Sequence, residues 1–153
     1  MALVLAGCGQ SSGPGGQTAN GSSSAAGPRE IDLTANDTMK YNLTAITAKP
    51  GEQLHLVLTN TGTQPKEVMG HDWTLLKAGS DAAAFSQAAV MHKAENYIPP
   101  ELSNEIIARI DLLGPRQTGE VTFTVPTAPG DYPYLCTFPA HYQAGMHGIL
   151  TVR

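Results

Sequence analysis

A thiol, an imidazole and a thioether stand within one short stretch of this chain, Cys136-Thr-Phe-Pro-Ala-His141-Tyr-Gln-Ala-Gly-Met146. Each is a soft or borderline metal ligand. One thiolate and two imidazoles in a trigonal plane, with a distant thioether, form the set that suits an electron-transfer copper ion. The stretch supplies only one imidazole, because His147 adjoins Met146 and is expected to point away from it. The best candidate for the second is His71, in Val68-Met69-Gly70-His71-Asp72-Trp73, just before a predicted strand where a sheet can hold a loop ligand. Gly70 lets the backbone come close, which makes its carbonyl a candidate for a weak second axial oxygen.

Simpler roles compete for each residue. A lone cysteine is usually a small buried hydrophobe, but Cys136 has a histidine and a methionine at ligand spacing. Trp73 reads as core. His55 alternates with leucines and reads as the solvent face of a strand. His92 ends a predicted helix, where the dipole favours a cation, and His147 reads as exposed. None of these three histidines is expected to bind metal. A Cys–His pair also suggests a thiol nucleophile, yet that leaves His71 and Met146 without a role. A copper enzyme needs an open coordination position or a second metal, and the chain has no second histidine cluster, so no enzymatic activity is expected.

The elements that must position these residues read as strands. Leu54, Leu56 and Leu58 alternate with His55, Val57 and Thr59; Val121, Phe123 and Val125 alternate with threonines; Gly148, Leu150 and Val152 alternate with Ile149 and Thr151. That period of two marks half-buried strands. Pro50-Gly51, Thr61-Gly62, Gly114-Pro115 and Pro129-Gly130 punctuate the runs. Many short strands at this spacing predict an antiparallel sandwich or barrel. Ser80–Ala94 departs from the pattern: Phe85, Ala88, Ala89 and His92 recur at helical spacing, with Ser80 placed to cap a short inserted helix.

The first residues have a different character. Leu5-Ala6-Gly7-Cys8 resembles the lipobox of bacterial lipoproteins, so residues 1–8 read as the remnant of a signal leader with Cys8 as its lipid acceptor. Residues 9–28 carry no charge before Arg29 and are rich in Gly and Ser, a flexible tether with a root-mean-square span of roughly 25 Å. Residues 29–153 remain for one folded domain. With a net charge of -4 and 14% charged residues, the chain lacks the basic footprint of a nucleic-acid binder.

The domain resembles the azurin and auracyanin family of cupredoxins. The resemblance covers roughly residues 30–153 and rests on Asn36-Asp37-Thr38-Met39, Ala45-Ile46-Thr47, Pro65-Lys66, Met69-Gly70-His71, Cys136-Thr-Phe-Pro and Gly148-Ile-Leu-Thr-Val. It implies an all-β cupredoxin Greek-key sandwich with one short inserted helix, and a mononuclear blue (type 1) copper ion held by His71, Cys136, His141 and Met146 with the Gly70 carbonyl opposite the methionine. It further implies an extracytoplasmic or periplasmic monomer that shuttles electrons between redox proteins: cytochromes, reductases or a photosynthetic reaction centre. Those partners are expected to dock at an exposed apolar patch including Met39, Met69, Phe138 and Pro139. The rival expectation is a copper carrier without an electron-transfer role. The chain departs from azurins in several places: the usual N-terminal disulfide has no counterpart, Asn60 and Arg109 stand where azurins often have histidines, and Asp72 follows His71 where asparagine is usual.

Overall fold

Alternating burial decides the architecture. Along Gln53–Asn60 (β4) the leucines at 54, 56 and 58 are fully enclosed, while His55, Val57 and Thr59 are half-buried. A strand with one apolar face must lay that face on another layer. The computed structural model describes residues 27–153, and in it nine strands answer this demand with two facing sheets. The expected leader and most of the tether lie outside the described residues.

The first sheet has the order β2-β1-β4-β7, formed by Lys40–Tyr41 (β2), Arg29–Asn36 (β1), β4 and Thr118–Thr124 (β7). The second runs β3-β9-β8-β5-β6, from Ala45–Ala48 (β3), His147–Val152 (β9), Gly130–Leu135 (β8), His71–Leu76 (β5) and Ile106–Leu113 (β6). The sandwich is not wholly antiparallel: β1 lies parallel to β4, with Ile31 beside Leu56, and β3 parallel to β9, with Ile46 beside Leu150. The neighbours of these strands in space are far from them in sequence, which is the Greek-key character of the fold. Trp73 fills the middle of the core, its ring 5.8 Å from Tyr134 and 5.7 Å from Phe123.

β5 breaks the alternation, since all six of its residues are buried. It lies between β8 and β6, and its outer side is covered by the helix Ala82–Ala89 (α2), where Phe85 packs on Leu76 and Leu135. A strand covered on both faces has no solvent side to mark with polar residues.

The helix is shorter than its periodicity suggests, and Asp81 caps it rather than Ser80. The Asp81 carboxylate accepts from the Ala83 and Ala84 amides at 3.0 Å. At the far end the amides of Met91 and His92 bond three residues back, to Ala88 and Ala89, so the last turn tightens and stops. His92 therefore stands beyond α2, paired with Glu95 and Glu101. His55 lies on the outer face of β4 between Glu30 and Glu120. No helix among the described residues is long and apolar enough to cross a membrane.

Candidate metal centre

Two neighbouring strands of the second sheet end at the same pole. β5 and β8 pair antiparallel through Thr74–Leu135 and Leu75–Tyr134, so the start of β5 lies beside the end of β8. His71 is the first residue of β5, and Cys136 follows the last residue of β8. The chain then loops through residues 137–146 before returning as β9.

That loop is closed by its own backbone. The His141 amide donates to the Phe138 carbonyl at 3.1 Å, Ala144 to Ala140 at 3.0 Å, Gly145 to Tyr142 at 2.8 Å and Met146 to His141 at 2.9 Å. The Cys136 amide closes the circuit on the Met146 carbonyl at 3.1 Å. These bonds form a helical turn that swings His141 back toward Cys136 and returns Met146 to the level of the cysteine. Ala140 and Gly145 take positive φ of 68° and 95° at the loop's two reversals.

His71 and His141, separated by 70 residues in sequence, face each other with their Nδ1 atoms 3.2 Å apart. The Cys136 Sγ lies 3.4 Å from the same His141 nitrogen, and the donor atoms of the three residues lie within 4.8 Å of one another. His71, Cys136 and Met146 have no exposed surface, and His141 has 1%. This is the one such grouping of His, Cys, Asp or Glu among the described residues. Gly70 is buried immediately before His71, at the end of the turn Lys66–Met69 (α1). A Cβ there would lie 2.6 Å from the Lys66 carbonyl and 2.9 Å from Leu112, so the lack of a side chain is what allows this approach.

Asp72 ties the segments that carry His71 and Cys136 together. Its carboxylate is buried and accepts from the Thr137 amide and the Thr137 hydroxyl, each at 2.7 Å, and from the Thr74 hydroxyl at 3.2 Å. The Tyr41 hydroxyl donates to the Asp72 backbone carbonyl. Spacing alone does not single out these partners. The available signal was an acidic residue inside the predicted strand His71-Asp-Trp-Thr-Leu-Leu76, with a threonine directly after the cysteine. His147 is exposed and stacks on Tyr142, with ring centroids 4.6 Å apart. Asn60 is buried, donating to the Leu113 carbonyl and accepting from the Gly62 amide.

Burial governs the electrostatics. It lowers the basicity of His71 and drives His141 down to about 4, helped by the neighbouring His71. It pushes the Cys136 thiol up, and the Asp72 charge pushes the same way. The Asp72 carboxyl is itself raised by burial, against the hydrogen bonds from Thr137 and Thr74. His71 Nε2 is buried without a hydrogen bond of ordinary geometry, although the Asn36 carbonyl favours its protonated form against burial. Two imidazole nitrogens and a thiol thus converge in a dry space where protons alone satisfy them poorly. A soft cation that accepts three lone pairs at once fits this donor set, and copper suits thiolate plus imidazole.

The family model for copper-binding proteins of the plastocyanin/azurin family matches residues 29–153. The chain belongs to that family. Auracyanin-A of Chloroflexus aurantiacus is 38% identical over 156 residues, a match covering 100% of this chain and 91% of that protein. Auracyanin-B of the same organism is 43% identical over 83 residues, covering 54% of this chain and 35% of that protein. The crystal structure of dithionite-reduced auracyanin from Roseiflexus castenholzii superposes with a TM-score of 0.72 at 32% identity, over 81% of this chain and 96% of that one. The fold is the cupredoxin sandwich of these relatives, and copper is the metal of the family.

The buried histidines make the metal-free protein sensitive to acid in a defined direction. The unfolded chain binds a proton at His141 near pH 6.5, whereas the folded chain resists until about 4. Between these values the unfolded state holds more protons, so stability falls as pH falls. The urea midpoint of the metal-free protein should therefore drop across this window and be level above it, and His141→Ala should flatten the slope. A level profile in the unsubstituted protein would show that His141 is not held neutral by burial.

Proposed function

We propose that residues 29–153 form a one-electron carrier whose copper ion is held by His71, Cys136 and His141, with Met146 and the Gly70 carbonyl on the axis. The convergence of one buried sulfur and two buried Nδ1 atoms supports this reading most directly. The members of this family carry electrons rather than transform substrates, and their partners are other redox proteins. Copper bound to this set supplies a one-electron couple, with the Cys136 thiolate providing strong electronic coupling.

The chain's own residues do the remainder. The full burial of Cys136 and His71 excludes water from the donors. The Asp72 bonds and the closed turn at 138–146 hold the donors on rigid backbone, which reduces rearrangement when charge changes. Such fixed, buried donors suit retention of a metal through many electron exchanges better than its delivery to another protein.

Partner docking is proposed at the loop pole. Met39, Met69 and Pro139 are half-buried there, and Val68 is 59% exposed. Phe138, expected on the open patch, is instead buried: its ring lies 4.7 Å from His141 and 5.0 Å, edge-on, from Tyr97. The protein is proposed to work as a monomer outside the cytoplasm, tied to a membrane by lipid on Cys8 through the tether of residues 9–28. One acyl chain gives only marginal membrane binding, so firm attachment requires at least two.

Loaded with copper, the protein should show an intense visible charge-transfer band and reversible one-electron chemistry, and Cys136→Ser should abolish the colour. A colourless wild-type copper complex would sink the electron-transfer reading. Zinc also suits a Cys-His-His set, so copper must be added to metal-free protein. Met69→Lys should leave the spectrum nearly unchanged but slow electron self-exchange, because two molecules must dehydrate this surface to meet. Equal exchange rates would remove Met69 from the docking patch. Mass spectrometry of membrane fractions should find acyl chains on Cys8; an unmodified Cys8 in the native mature protein would refute the anchor.

A further inference from the structure

Lys40 reaches from one sheet to the metal-binding loop of the other. It opens the two-residue strand β2 at the edge of the first sheet. Its ammonium donates to the Ala144 carbonyl, 104 residues away, in the loop between β8 and β9 of the second sheet. Ala144 closes the helical turn of that loop, its own amide bonded to Ala140. The loop's own backbone bonds leave the Ala144 carbonyl free, and the Lys40 ammonium satisfies it.

The next residue shows how closely the lysine fits. Gly145 reverses the chain at φ 95°, and a Cβ at this position would lie 2.6 Å from the Lys40 Nζ. The ammonium occupies the space that a side chain would take. Gly145 meets the demand of a left-handed backbone, and its bare Cα lets the ammonium lie close. Met146 follows directly, fully buried, with its amide on the His141 carbonyl and its carbonyl on the Cys136 amide. Lys40 thus grips the loop two residues before the proposed axial ligand, while the neighbouring Gln143 side chain donates to the Ser86 hydroxyl of α2 at 3.3 Å.

We propose that Lys40 is a positioning residue for the axial side of the metal centre: by clamping Ala144 to the first sheet it sets where the Met146 segment stands over the three buried donors. The effect on the metal rests on Met146 being the axial ligand, as proposed above; the clamp itself does not.

Lys40→Met keeps the aliphatic stem and removes the donor and its charge. Because the side chain is exposed at the sheet edge, the variant should fold. In the metal-free variant, hydrogen exchange at the Gly145 and Met146 amides should accelerate roughly tenfold, the size expected when a charge-assisted hydrogen bond is lost. Exchange at the β4 amides should not change. In the copper-loaded variant the blue colour should persist, with altered relative intensities of the copper–thiolate bands, which respond to axial ligation. Met146→Ala serves as the reference. If it alters the bands and Lys40→Met does not, Lys40 does not position the ligand. If it leaves the bands unchanged, the axial reading of Met146 fails, and the proposed effect of Lys40 on the metal fails with it. Unchanged exchange at Gly145 and Met146, or acceleration spread over the whole domain, would remove the clamp.

Discussion

The metal pole depends on one buried carboxylate. Asp72 accepts the amide and hydroxyl of Thr137 and the hydroxyl of Thr74, and so fastens the segment after His71 to the residue after Cys136. Without it, the start of β5 and the end of β8 would be joined near the donors only by the ladder pairs Thr74–Leu135 and Leu75–Tyr134. The position is energetically demanding. A carboxylate with no cation partner loses its hydration, and hydrogen bonds return only part of that. Cys136 faces the same penalty when it becomes a thiolate, and the two charges repel. A cation bound between His71, Cys136 and His141 relieves both at once. Metal bound there would couple its affinity to folding stability, and uptake would release a proton from Cys136.

How much of this was legible in the sequence varied with the physics of each element. Leu54, Leu56 and Leu58 in β4, and Leu150 and Val152 in β9, showed their faces because the opposite faces meet solvent or its margin. β5 showed nothing of the kind, because α2 covers the side that would otherwise be polar. The inserted helix was visible from the spacing of Phe85 and Ala89, but its end was not. A tightening last turn followed by left-handed Asn96 and Tyr97 has no distinctive composition. The parallel pairs β1–β4 and β3–β9 were equally hidden, since period two marks a strand and says nothing of its direction.

At the site, Cys136, His141 and Met146 could be read as candidates because they share one loop. His71 could be proposed only because copper requires a second imidazole and because the chain resembles azurins and auracyanins. The supporting residues could not be read from spacing. Thr137, Tyr41 and Lys40 are unremarkable in a sequence and acquire meaning only when two sheets bring them to the same pole. Phe138 was misplaced for a related reason: an aromatic residue in a surface loop was expected to be exposed, but Tyr97 arrives from the segment after α2 and encloses it.

The place of β9 has a consequence for the order in which the molecule assembles. This strand is inserted between β3 and β8, pairing Ala45 with Ile149 on one side and Leu135 with His147 on the other. The second sheet is divided until β9 docks, and the pairing with β3 closes a chain segment spanning most of the domain. Loop-closure entropy makes such distant contacts late events in folding. β8 and β9, however, pair locally across the loop of residues 137–146, so Cys136, His141 and Met146 are gathered by a short-range contact, and His71 joins them when β5 pairs with β8. Three of the four candidate donors thus travel on one hairpin, and the long-range docking of β5 supplies the fourth.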